Sequence, residues 1–200
     1  MSSAQLVKEL REISGAGMMD CKNALVESKD NLEKALEFLR KSGIAKAQKK
    51  SGRSAKEGLI FSYIHPGAKL GVMLEINCET DFVANTDEFQ NLAKDISMHI
   101  AAANPMSVIR EDLAETLISK EKEIYFEQAK KSGKPDNIIE KMIEGRLNKF
   151  YKENVLMEQV FVKNQDQDIK GLVDESISKL GENILIKRFK RFQLGEKYIS

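Results

Sequence analysis

The spacing of apolar residues changes at Gly58, and that change limits the chain to a fold that mixes helices with a sheet. Upstream the spacing is helical. Leu6, Leu10 and Ile13, with Val7 beside them, predict an amphipathic helix over about residues 3–14. Ser14-Gly15-Ala16-Gly17 breaks it, because glycine takes the left-handed conformation at a helix end without a Cβ clash. Met18, Cys21 and Leu25 share one face of a second helix. Leu32, Ala35, Leu36 and Leu39 form the inner stripe of a third, opened by a capping box at Asp30 and Glu33 and closed by Gly43. Downstream the pattern alternates. Residues 59–65 and 70–77 read as two strands joined by the turn His65-Pro66-Gly67-Ala68-Lys69, an antiparallel hairpin.

Beyond the hairpin the helical period returns. Asn85 and Glu88 stand at capping-box spacing before a helix that buries Phe89, Leu92, Ala93, Ile96 and Ile100, with Asn104-Pro105 as its stop. His99 lies beside that stripe and reads as a helix-flank histidine rather than a ligand. Two further helices, over about residues 112–131 and 136–154, form a helical hairpin around the turn Ser132-Gly133-Lys134-Pro135. The first carries Leu117, Ile124 and Tyr125, the second Ile139, Met142, Ile143, Leu147 and Phe150. Gly145 in the second costs about 1 kcal/mol relative to alanine, which a close helix approach would explain. Residues 155–162 read as extended or strand-like. Residues 169–180 form a helix on Ile169, Val173, Ile177 and Leu180, ended by Gly181, and residues 184–194 a last strand. Phe189 and Phe192 have opposite parity there, which calls for a bulge or burial on both faces. The predicted class is α+β: a three-helix N-terminal module over residues 1–43, a basic linker over 44–57, and a core over 58–200. In that core a small antiparallel sheet packs with helices and a helical hairpin. A sheet of about three strands leaves edges and a face that invite a partner.

Between the second strand and the next helix lies Cys78-Glu79-Thr80-Asp81-Phe82-Val83, a short loop with a rigid mount at each end. It sets an acid, Asp81, beside a large ring, Phe82. Such a ring either tucks under the loop into the local core or is offered to a partner. The rest of the composition narrows function by exclusion. With 32 basic and 31 acidic residues the net charge is +1, so no bulk attraction draws the chain to nucleic acid or membrane. No apolar run approaches the roughly 18 residues of a spanning helix, and the N-terminus shows no signal or transit pattern. Two cysteines are too few for a disulfide framework, so a cytoplasmic location is expected. The two histidines and two cysteines lack metal-ligand spacing, no phosphate loop is present, and Gly15-Ala16-Gly17 follows a helix rather than a strand. No catalytic residue, metal or cofactor is expected. The linker sequence at residues 45–56 has five basic residues and no acid or aromatic. It reads as a solvated spacer, or as a phosphate-only nucleic-acid contact that would make the chain an RNA- or ribosome-associated protein.

Four motifs in order then resemble one family. These are Gly15-Ala16-Gly17-Met18-Met19-Asp20-Cys21-Lys22, Asn77-Cys78-Glu79-Thr80-Asp81-Phe82-Val83-Ala84, Glu144-Gly145-Arg146-Leu147-Asn148-Lys149-Phe150, and Gly181-Glu182-Asn183-Ile184 followed by Arg191-Phe192. Together they resemble bacterial translation elongation factor Ts over essentially the whole chain. The resemblance implies a guanine nucleotide exchange factor, not an enzyme, that binds the GTPase elongation factor Tu and promotes GDP release. It implies an N-terminal module like a ubiquitin-associated domain, docked on the GTPase domain. It assigns Thr80, Asp81, Phe82 and Val83 to a loop that intrudes near the magnesium bound to elongation factor Tu. No direct nucleic-acid or membrane partner is expected. Val160 departs from the family's common Gln-Pro-Phe at residues 159–161, with a local effect expected. Longer members carry the core pattern twice, whereas the hairpin-plus-loop pattern occurs once here, so a homodimer is expected to complete the core.

Overall fold

The computed structural model describes residues 3–131 and 135–196, and these form an α+β fold. In chain order the elements are α1 (Ser3–Ser14), α2 (Met18–Glu27), α3 (Leu32–Lys50), β1 (Glu57–Ile64), β2 (Leu70–Cys78), α4 (Asp81–Ala84), α5 (Asp87–Ala103), α6 (Glu115–Lys130), α7 (Asp136–Asn154), α8 (Ile169–Leu180) and β3 (Leu185–Gln193). The sheet has the order β1-β2-β3. The His65 amide donates to Leu70 O at 2.8 Å across the hairpin turn, and the Leu194 amide donates to Lys69 O at 2.8 Å, so the end of β3 meets the start of β2 and the strands run antiparallel. The described residues fall into two compact units. One is drawn from Met1–Phe61, Glu75–Lys94 and Gly171–Ile186, the other from Ser62–Leu74, Asp95–Lys170 and Lys187–Ser200.

In the first unit α1, α2 and α3 close around Leu10, Cys21, Ala24, Leu25 and Ala35. Gly15, at φ +64°, makes the break between α1 and α2 as its sequence position predicts. Ile13 and Met18, on either side of that break, stay exposed rather than joining the stripe. The N-cap of α3 is Asn31, whose side chain accepts from the Lys34 amide at 2.9 Å, and not Asp30, which sits at φ +60° in the connection. Gly43 does not end α3. The helix continues to Lys50 with Ala47 buried, because one interior glycine costs too little to stop a helix that still has a face to bury. Gly43 is itself buried, and a Cβ there would lie 3.5 Å from Ser178 of α8. At Gly58, φ is +138° and a Cβ would stand 2.2 Å from Ile76 O, so only glycine lets β1 approach β2 here. Val72, Leu74, Ile76 and Cys78 alternate inward along β2 as its pattern predicts.

In the second unit α6 and α7 form the helical hairpin, with Ala129, Ile139, Leu147 and Phe150 buried. The turn predicted at Ser132-Gly133-Lys134 lies outside the described residues. Ile124 is exposed, and the inner stripe of α6 runs through Leu117, Tyr125 and Ala129 instead. Gly145 faces open space, so no close helix approach explains it. Residues 155–162 are not a strand. They make two isolated bridges, Ser107 with Val155 and Val160 with Asp168, around a 3-10 turn at Leu156–Glu158. Val155, Leu156 and Phe161 are buried along this path, so the segment is held by side-chain burial rather than by a ladder. Phe189 is half-buried and Phe192 exposed, so the expected burial on both faces of β3 is not met. Ile64, Met73, Phe192 and Leu194 leave an apolar strip of the sheet uncovered.

His99 is fully buried rather than on a helix flank. The Gln159 side-chain amide donates to Glu153 O at 2.6 Å, which turns its carbonyl toward His99 Nε2 at 2.9 Å, so Nε2 carries the proton. Nδ1 accepts from the Val162 amide at 3.3 Å. Burial lowers the His99 pKa, opposed by the Gln159 hydrogen bond. Protonation would also turn Nδ1 from an acceptor into a donor facing an N–H. The neutral form is therefore tied to the folded state, and its contribution is intact above the ordinary histidine value near 6.5 and lost as pH falls. Urea unfolding midpoints measured at pH 7.5 and 5.5 should drop more for the native protein than for a His99→Asn variant. Equal drops would mean that His99 does not couple stability to pH.

Candidate partner-binding site

The chain leaves β2 at Cys78 and enters α4 at Asp81, with only Glu79 and Thr80 between. The predicted loop is thus mostly a single helical turn. Thr80 is its N-cap, at φ −131° and ψ 155°, and its Oγ1 accepts from the Val83 amide at 3.4 Å. Asn85 closes the turn, its side chain donating to Asp81 O at 2.9 Å. The Thr86 hydroxyl donates to Val83 O at 2.8 Å and accepts from the Phe89 amide at 3.2 Å. One side chain therefore ends α4 and opens α5, where the sequence points to a capping box at Asn85 and Glu88. Thr86 reaches both helices because it sits exactly one residue ahead of α5; no spacing rule on carboxylates would find it.

These caps decide where each site residue points. Thr80 and Val83 are half-buried and Ala84 is buried, so they form the inner face of the turn. Asp81 and Phe82 fall on the outer face. Phe82 is 82% exposed, which rejects the alternative in which the ring tucks under the loop. Phe89, the next aromatic along the chain, is fully buried and supplies the local core instead. The structure thus brings Thr80 and Val83 together beneath the turn and sets Asp81 and Phe82 side by side in solvent.

A second segment holds the corner. The Glu182 carboxylate accepts from the amides of Glu79 and Thr80, at 3.1 and 2.9 Å, and from the Thr80 hydroxyl at 2.6 Å. Glu182 follows α8 and lies 102 residues from Thr80 in sequence, so no local spacing signals the contact. Beneath the turn the buried Cys78 thiol donates to Thr80 O at 3.1 Å. Burial, with the Glu182 charge adding to it, pushes the Cys78 pKa up to about 11. The basic stretch is drawn inward too. Lys46 pairs with Asp20 at 2.7 Å, Lys50 donates to Gly181 O, and Arg53 stands 3.5 Å from Glu79. Among the described residues no group of three or more His, Cys, Asp or Glu side chains is placed to hold a metal, and no helix is long and apolar enough to cross a membrane.

Comparison with known proteins bears on the same residues. The family described as "Elongation factor TS" matches residues 43–196. The chain belongs to the elongation factor Ts family. The factor of that name from Caldanaerobacter subterraneus subsp. tengcongensis is 57% identical over 196 residues, 98% of each chain. Its counterpart in Fervidobacterium nodosum is 59% identical over 97% of this chain and 98% of its own length. In Geobacter sulfurreducens the figures are 56%, 97% and 90%. Family membership places the chain among the elongation factors of protein biosynthesis, and its match runs through β2, the capped turn and the Glu182 segment alike.

The raised pKa and full burial of Cys78 make its thiol a slow nucleophile. Reaction with a disulfide reagent at pH 8 should label Cys78 far more slowly in the native protein than in urea, with each cysteine followed by peptide mapping. Native labelling of Cys78 at the denatured rate would mean that the turn above it opens freely.

Proposed function

We propose that this chain is a guanine nucleotide exchange factor for elongation factor Tu, acting in the cytoplasm. It binds the GDP-bound GTPase and promotes GDP release by disturbing the magnesium and phosphate-binding site. The observation that carries this reading is Phe82, a large ring held out in solvent on a turn capped at both ends. Such a factor makes and breaks no bond and is not an enzyme. It works by binding the nucleotide-free GTPase better than the nucleotide-bound form, since equal affinity for both shifts nothing. The coupling is reciprocal, so GDP weakens the factor as much as the factor weakens GDP.

Magnitudes assign the parts. Taking a nucleotide from nanomolar to micromolar affinity requires about 4 kcal/mol. Burying one phenylalanine supplies about 1.5–3 kcal/mol, so Phe82 acts together with other contacts. In this reading the module of residues 1–43 docks on the GTPase domain, the linker of 44–57 spaces it, and the core of 58–200 presents the turn. Phe82 wedges into the GTPase domain. Asp81 brings a negative charge near a magnesium shell that tolerates little distortion. Thr80 and Val83 hold the turn's geometry from below. The internal pairing of Lys46, Lys50 and Arg53 supports the spacer role for the basic stretch over a nucleic-acid contact. Release of fluorescent GDP from elongation factor Tu tests the reading. The native chain should accelerate release, and Phe82→Ala should slow the stimulated rate by about 10- to 100-fold while still binding the GTPase. A stimulated rate unchanged by Phe82→Ala removes the wedge.

The same reading makes the chain a homodimer. Ile64, Met73, Phe192 and Leu194 offer an apolar strip on one sheet face, and a second copy covers it with the same strip across a two-fold axis. The hairpin-plus-turn pattern occurs once per chain, so a second copy also supplies the second core. Sedimentation at micromolar concentration should give a dimer for the native chain and a monomer for Phe192→Glu. A monomeric native chain overturns this assembly.

A further inference from the structure

We propose that Glu182 is a positioning residue for exchange: its carboxylate fixes the corner at Glu79-Thr80 and thereby sets where Phe82 stands. The proposal rests on the exchange reading above and deepens it. Three donors converge on this one side chain, two amides and a hydroxyl, with both carboxylate oxygens in use. The ionised carboxylate serves all three as acceptor with charge-assisted bonds. A glutamine that kept both amides on its Oε1 would turn its NH2 toward the Thr80 hydroxyl, forcing that hydroxyl to accept, and would remove the charge that strengthens all three bonds.

The contact works in both directions. While the Glu182 side chain holds the backbone of Glu79 and Thr80, the Glu79 carboxylate accepts from the Asn183 amide at 2.7 Å. Asn183, buried, then donates from its side chain to Arg53 O at 2.8 Å, and the Arg53 guanidinium returns to Glu79. Gly181, at φ +80°, turns the chain out of α8 so that Glu182 and Asn183 present themselves to the corner together. The link to Phe82 runs through Thr80. Its hydroxyl proton is committed to Glu182, which leaves an oxygen lone pair for the Val83 amide, the bond that caps α4. Without Glu182 two amides lose their acceptor and nothing ties down the Thr80 side chain, so the rotamer that holds its oxygen under the Val83 amide is no longer enforced and the cap that aims the outer face weakens. A single turn has no intrinsic stability to compensate. The bound orientation of Phe82 then becomes one of several, and the factor's efficiency falls with the competent fraction.

The test is a double-mutant cycle on GDP release from elongation factor Tu, combined with amide exchange on the free protein. Glu182→Gln should slow stimulated release about tenfold or more in the native background and add little to Phe82→Ala. Free Glu182→Gln should exchange the amides of Glu79 and Thr80 faster and shift the Phe82 ring resonances, with the α1–α3 amides unchanged. If Glu182→Gln does not fold, Glu182→Asp, which keeps the charge but falls one methylene short, takes its place in every arm. Equal slowing in both backgrounds, or amides and ring resonances that do not move, overturns the proposal. If Phe82→Ala itself leaves release unchanged, the wedge fails, and the amide and ring measurements still decide whether Glu182 positions the turn.

Discussion

A backbone that passes from a strand to a helix within two residues leaves N–H groups that neither element can satisfy, and every other property of the site depends on how that deficit is met. The strand ladder ends at Cys78, and the one-turn helix makes its first backbone bond only at Ala84, to Thr80 O at 3.3 Å. The amides of Glu79, Thr80 and Val83 therefore need acceptors from side chains. They find them in Glu182 and in the Thr80 hydroxyl. An unpaired amide in such a half-buried corner costs about 1–3 kcal/mol, a large share of the margin by which any domain is folded.

Once the corner is satisfied, the exposure of Phe82 follows without further cost. Its ring is kept out because Thr80, Val83 and Ala84 already occupy the inner face of the turn and Phe89 fills the core below. An isolated four-residue helix does not form in water, since nucleation fixes several dihedrals for one hydrogen bond. Here local caps at Thr80, Asn85 and Thr86 supply the missing bonds, and the tertiary contact from Glu182 fixes the entry to the turn. A ring on such a mount has its backbone fixed beforehand, so a partner that buried it would have only the side-chain rotamers left to order.

Legibility in the sequence divides along the range of the interaction. Apolar periods are local, so the hairpin, the stripe of Phe89, Ile96 and Ile100 on α5, and the inner residues of α7 were all readable from spacing. Helix ends were not. Gly43 resembles a stop but lies in α3, whose fate is set by burial of Ala47 further on, and Asn31 took the capping role from Asp30 by a one-residue difference in dihedral angle. Residues 155–162 carry strand-like side chains without a neighbouring strand to pair with, so burial shaped them instead. The motif containing Glu182 was visible, yet its role was not, because the donors it serves lie about a hundred residues earlier and only the fold brings them together. For Phe82 the residue physics left two options open, and the capping geometry of Thr80 selected between them.

Among the exposed apolar side chains, Phe82 and the sheet strip differ in extent, and that difference suits them to different duties. Phe82 is one ring beside a carboxylate, able to contribute about 1.5–3 kcal/mol when buried, too little to sustain an assembly alone. The strip of Ile64, Met73, Phe192 and Leu194 is a continuous sheet face with no acid among those four side chains. Several apolar side chains buried together would accumulate the free energy that the proposed standing contact between two copies requires. A single ring suits the transient contact that the proposed exchange cycle would need. Affinity concentrated in the turn would slow release of the partner, and affinity spread thinly over the sheet would not hold two chains together. Under the proposed exchange and dimer reading, weak binding at the turn and strong binding at the face would let one small protein keep its own assembly while repeatedly letting go of another.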